Sequence, residues 1–242
     1  MKKTAFITGA SKRVGRALTE HLASIGWNVI IHFNSSEKKA RELVDSLKQK
    51  FPEQDFETVK ANFSKTGEVE NLISKVAGEY GKFQLLINNA SVFNPGYIKE
   101  TSPGLFDLQM NVNFKAPLLL IRDFAKTCKA GSIINIVDTR ITTNKSNFAA
   151  YSLSKKALWE LTKMAALEFA PEIRVNAIAP GVTLPPEDKG GTYLQKMAQN
   201  IPMRKPGGVL PILQSLDYII QNEHLTGQLL FADGGENLGQ NV

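Results

Sequence analysis

The residues best suited to chemistry lie between positions 138 and 155. Tyr151 and Lys155 stand four apart, as Tyr-x-x-x-Lys. A helix beginning near Ala149 puts both side chains on one face, about one turn apart. A lysine cation there favours tyrosinate, so the phenol can release its proton nearer neutral pH than its usual pKa of about 10 allows. Asp138 precedes the tyrosine by thirteen positions and ends the apolar run SIINIV, residues 132–137. Read as a buried strand, that run delivers the carboxylate to the carboxyl end of a sheet, where open α/β sheets bind ligands. A tyrosine and a lysine at this spacing also occur on ordinary helices. Their weight depends on the elements around them.

Those elements alternate. Segments at residues 4–8, 27–33, 56–61, 84–88, 132–137, 173–179 and 228–232 read as strands. Helical patterns fall between them at 16–25, 36–50, 65–80, 102–129 and 149–169, with a disturbance expected at Pro117. A loop at 180–191 precedes short helices. The strands are apolar along their whole length, which signals a parallel sheet covered on both faces. The expected fold is α/β, one doubly wound, Rossmann-like domain over residues 1–242 with about seven strands. No linker, low-complexity segment or further repeat interrupts it.

Composition narrows the classes. Of 242 residues, 43% are hydrophobic and 21% charged, enough for an ample core. One cysteine, Cys128, excludes an intramolecular disulfide, and three histidines argue against a Cys/His zinc site. No metal is expected. No run approaches the roughly 18–20 apolar residues of a membrane span, and the N-terminus lacks the apolar stretch of a secretory signal. A cytoplasmic location is expected. The net charge of +6 comes from dispersed lysines with no basic run among aromatics. That argues against nucleic acid and suits anionic ligands.

The turn after the first strand, Gly9-Ala10-Ser11-Lys12-Arg13-Val14-Gly15, is a nucleotide-binding candidate by context: strand, turn, then helix. The helix N-terminus offers free N–H groups and partial positive charge to a pyrophosphate, and Arg13 adds a cation. The second strand ends in His32-Phe33-Asn34-Ser35-Ser36, without the acid that bonds a ribose 2′-hydroxyl in NAD sites. Nothing there repels a 2′-phosphate, while Asn34, Ser35, Ser36 and Arg13 can donate to it. NADPH is therefore the expected cofactor. The two serines can also cap the following helix, and the roles are compatible.

TGASKRVG at 8–15, NNAS at 88–91, Asn113, Tyr151 with Lys155, Pro180-Gly181 and DGG at 233–235 together resemble the short-chain dehydrogenase/reductase family, in the right order over essentially the whole chain. The resemblance implies that Asn89, Ala90 and Ser91 line the nicotinamide side of the pocket, and that Asn62 and Phe63 flank the adenine. Asn113 would kink its helix and hold a proton-relay water. Lys155 would bond the nicotinamide ribose, and Pro180, Gly181, Val182 and Thr183 would close over the carboxamide. A homotetramer is what the family usually forms.

Two departures narrow the choice: Asp138 replaces the usual catalytic serine, and Arg13 the usual central glycine. With Asn89-Ala90-Ser91-Val92-Phe93, they are similar to pteridine reductases and dihydromonapterin reductases. That branch implies Phe93 stacking a pterin against the nicotinamide, with Arg13, Ser91, Asp138 and Tyr151 also at the substrate. Chemistry agrees. An ionised carboxylate only accepts hydrogen bonds, so Asp138 is ill suited to a carbonyl oxygen that becomes an alkoxide. A 2-aminopterin presents N–H donors, and its C=N bond needs a proton on nitrogen. Thr139 is an alternative hydroxyl if the register drifts. The expected activity is NADPH-dependent pterin reduction, on dihydropterin or dihydrofolate. Its rivals are a carbonyl reductase of the same fold, which Asp138 argues against, and a non-catalytic NADPH sensor, which would not need Tyr151 and Lys155 intact.

Overall fold

The computed structural model describes residues 3–185 and 190–239. Seven strands form one sheet: β1 (Thr4–Ile7), β2 (Asn28–Phe33), β3 (Phe56–Lys60), β4 (Leu85–Asn88), β5 (Gly131–Ile136), β6 (Ile173–Pro180) and β7 (Leu229–Ala232). They lie in the order β3-β2-β1-β4-β5-β6-β7, and every pair is parallel. All six residues of β2 are buried, as a strand covered on both faces requires. The chain leaves β1 toward β2 on one side and returns to β4 on the other. That reversal opens a crevice at the carboxyl ends of the strands.

Helices α1 (Arg13–Ser24), α2 (Glu37–Lys50) and α9 (Leu210–Gln221) cover one face, through Leu18, Leu22, Leu43, Leu47, Ile212 and Leu216. On the other face lie α4 (Leu72–Tyr80), α6 (Ala116–Thr127) and α7 (Ala149–Phe169), through Ile73, Val76, Leu120, Phe124 and Ala165. Alternate strand residues divide between the layers: Ala5 and Ile7 join the first, Phe6 the second. A short helix, α8 (Gly191–Ala198), lies before α9.

Three helical regions differ from the pattern reading. α1 begins three residues early, at Arg13, which enters it with a φ of +54°, in the left-handed region. The run at 65–80 is two helices, α3 (Thr66–Val69) and α4, separated where Asn71 turns left-handed at φ +62°. The run at 102–129 is α5 (Pro103–Met110), a π-helical turn (Asn111–Lys115) and α6. The distortion precedes Pro117 and centres on Asn113. Pro117 has no N–H for the Asn113 carbonyl, and the Ala116 N–H reaches back five residues to Asn111 O. Within the loop expected at 180–191, residues 186–189 lie outside the described residues.

Candidate active site

The crevice is a cleft of about 720 Å³ at the carboxyl ends of the central strands. Every expected site residue lines it except Asn113 and Val182. Asn113 is fully buried behind the wall, and the Val182 carbonyl accepts from the Gly207 N–H at 3.1 Å.

The wall formed by the ends of β1 and β4 is laced to main chain. Thr8 Oγ1 accepts from the N–H groups of Asn89 and Ala90, both at 2.9 Å. Asn89 Nδ2 donates to the carbonyls of Thr8 and Gly9, at 2.9 and 3.1 Å. Helix α1 then starts so close to the turn that Gly15 has no room for a side chain. An added Cβ would sit 2.2 Å from Gly9 O and 2.6 Å from Asn89 Nδ2. The N-cap Lys12 gives α1 no side-chain cap, so the first-turn N–H groups face the cleft uncapped by it. Ser36 occupies the N-cap position of α2, yet its side chain makes no capping bond either. The Arg13 guanidinium crosses the mouth of the cleft and donates to Pro185 O at 2.7 Å and Leu184 O at 3.2 Å.

The catalytic candidates meet where β5 ends beside α7. Asp138 caps the 3-10 turn Thr139–Thr142: its Oδ1 accepts from the Arg140 N–H at 2.8 Å. The cap turns Oδ2 toward Tyr151, whose hydroxyl donates to it at 2.6 Å, a short contact of the charge-assisted kind. Thr139, the neighbouring hydroxyl, is buried and does not line the cleft. Lys155, one turn beyond the tyrosine, is buried and donates from Nζ to Ile136 O at 2.8 Å.

Electrostatics here differ from the expectation that Lys155 holds the phenol low. Burial pushes the Tyr151 phenol well above 10, and the Asp138 charge and hydrogen bond push it further. Arg140 and Ser91 pull it back in part. Burial lowers Lys155 to about 8, against the opposing pull of Asp138. Tyr151 is therefore a protonated donor at neutral pH. Asn113 supports this corner from behind: its Oδ1 accepts from Val92 N at 2.9 Å and Ser91 Oγ at 3.1 Å, and its Nδ2 donates to Ser154 Oγ at 3.2 Å.

Three residues at this end escape the sequence reading. Phe148 stacks on Phe93 with ring centres 4.1 Å apart and planes at 4°. Phe93 in turn meets Tyr151 edge-on at 4.6 Å. Arg140 lies over Phe148 at 4.6 Å and donates to Asn147 Oδ1 at 3.0 Å. Glu236, from the 3-10 turn Glu236–Leu238, has its carboxyl pushed up by burial first, then by Asp138 and Asp233. Arg140 and Phe148 are sequence neighbours of Asp138 and Tyr151, the one signal available. Nothing in the sequence indicates that the intervening segment folds back to pair the two rings.

Known proteins resemble the chain over most of its length. A family model described as short chain dehydrogenase matches residues 3–190. The 3-oxoacyl-(acyl-carrier-protein) reductase FabG of Staphylococcus epidermidis is 28% identical, over 97% of this chain and 99% of its own. An uncharacterized oxidoreductase of Thermotoga maritima is 30% identical over 96% of both chains. Among solved structures, FolM alternative dihydrofolate reductase 1 from Brucella canis, complexed with NADP, superposes with a TM-score of 0.90 at 32% identity, over 99% of this chain and 96% of that one. The chain belongs to the short-chain dehydrogenase family and is an oxidoreductase of that family.

Proposed function

We propose that the protein is an NADPH-dependent pteridine reductase, acting on a dihydropterin or on dihydrofolate. The observation that carries this reading is the 2.6 Å hydrogen bond from Tyr151 to Asp138 at the wall of the cleft. A carboxylate there cannot donate to a carbonyl oxygen, but it can accept from the amine side of a 2-aminopterin.

The residues fit the cofactor. Asn34, Ser35 and Ser36 line the cleft where an NAD site would carry an acid. The Ser36 hydroxyl, unused as a cap, can donate to a 2′-phosphate. The uncapped start of α1 suits a pyrophosphate. The complex of FolM with NADP supports the same cofactor. Bound NADPH supplies a hydride to a ring carbon of the C=N bond. Tyr151 gives its proton to the ring nitrogen, its hydroxyl turning from Asp138 to do so, and the tyrosinate takes a proton back from solvent once the product leaves. Lys155 is placed to bond a ribose hydroxyl, and Phe93 offers an aromatic face to the pterin. Asn113 keeps Ser91 and Val92 in position.

A ketoacyl reductase is the second reading, favoured by the FabG relatives; Asp138 counts against it. NADPH oxidation with dihydrobiopterin, dihydromonapterin, dihydrofolate and a β-keto ester separates the two. Pterin turnover is expected. Robust reduction of the keto ester alone would replace this assignment with the second.

A further inference from the structure

We propose that His32 is a positioning residue of the cofactor half: a neutral imidazole, protonated on Nε2, that fixes the Gly9 turn and the Phe63 ring relative to each other. The inference rests on reading the cleft as an NADPH site. His32 lies on β2, is 2% exposed and lines the cleft. Its Nδ1 is 3.0 Å from the Gly9 N–H, and its Nε2 is 3.0 Å from Ala61 O. A backbone N–H can only donate and a carbonyl can only accept. Nδ1 must therefore be bare and Nε2 must carry the proton, which is the one ring form that satisfies both partners. A doubly protonated ring would set one N–H against another.

The ring joins three separate stretches of chain. Gly9 belongs to the turn that leads into α1, at a φ of +61°, and its N–H reaches β2 through the imidazole. The main chain of His32 strengthens the tie, since its carbonyl accepts from the Ala10 N–H at 2.9 Å. On the far side, the imidazole stacks on Phe63 with centres 4.1 Å apart and planes at 9°. Phe63 lines the cleft. One side chain thus sets the distance between the turn suited to pyrophosphate and the ring suited to adenine. Burial keeps the imidazole neutral, with its pKa lowered to about 4.

The test compares wild type with His32→Phe and His32→Asn. Phenylalanine keeps the stack and leaves the Gly9 N–H without an acceptor; asparagine restores one. His32→Phe should raise the KM for NADPH about tenfold, with kcat on a dihydropterin changed less than about twofold, and His32→Asn should recover most of the loss. In the wild-type protein, 15N NMR at pH 7 should show a bare Nδ1 and a protonated Nε2. Equal NADPH affinity in wild type and His32→Phe overturns the inference while leaving the cofactor reading intact. A wild type that binds no NADPH overturns both. If His32→Phe does not fold, the NMR spectrum decides: a proton on Nδ1, or on both nitrogens, contradicts the role.

Discussion

The two halves of the cleft hold their polar groups differently. Around β1, β2 and β4, side chains bond to main chain: Thr8 to Asn89 and Ala90, Asn89 to Thr8 and Gly9, His32 to Gly9 and Ala61. None of these bonds needs an ionised group. Around β5 and α7, titratable groups face one another. Tyr151 is pushed up, Lys155 down and Glu236 up, each with burial as the first cause and each feeling Asp138. The first half is a frame whose shape is set by satisfied hydrogen bonds. The second keeps charge in poor solvation, the arrangement from which proton transfer is drawn. Substitutions in the frame should therefore act on binding and stability, and substitutions in the charged half on turnover and its pH dependence.

The largest effect is expected at Tyr151. Tyr151→Phe removes the proton donor and should lower kcat for pterin reduction by about 10²–10⁴-fold. The KM for NADPH should move little, and steady-state kinetics with varied cofactor will separate the two. A comparable loss in NADPH affinity would blur the division between the halves.

Lys155 comes next. Its folded pKa of about 8 lies below the ordinary lysine value of 10.5. Between those values the unfolded chain binds more protons than the folded one, so this residue makes stability rise with pH through that window. Below about pH 8 both states are protonated and the burial cost is fully present. Its size is on the order of 3 kcal/mol. Denaturant unfolding of wild type and Lys155→Met should show the variant gaining relative stability at pH 7, a gain that shrinks by a few kcal/mol at pH 10. A pH-independent difference would mean that the ammonium is better solvated than its burial implies.

The frame is probed by Gly15→Ala. The added Cβ meets Gly9 O and the Asn89 amide at distances that force the turn to shift. A stability loss of about 1–3 kcal/mol is expected from overpacking, with weaker NADPH binding, read by thermal melts with and without cofactor. Unchanged melting in both conditions would show the turn to be pliable.

Much of this was legible in the sequence, and the reason is local. Strands apolar along their length, as in NVIIHF and LLIN, have no other home than a two-sided parallel sheet. Tyr151 and Lys155 could be paired because helix periodicity places them. Asp138 could be placed because a buried strand ends two residues before it. What escaped depends on contacts between distant segments or on unusual backbone. The left-handed entry at Arg13 and the break at Asn71 leave no trace in a hydrophobic pattern. Neither does the return of the 139–148 segment that stacks Phe148 on Phe93. His32 looked like one more residue of an apolar strand until Gly9 and Ala61 were brought to its two nitrogens.

In the proposed function a carboxylate, not a hydroxyl, partners the phenol and thereby selects a pterin. The most direct test of this is the ratio of kcat/KM for dihydrobiopterin to that for a β-keto ester, in wild type and in Asp138→Ser. The ratio should favour the pterin in wild type and fall by about tenfold or more in the variant, mainly through kcat on the pterin. A ratio that Asp138→Ser leaves unchanged would contradict the account.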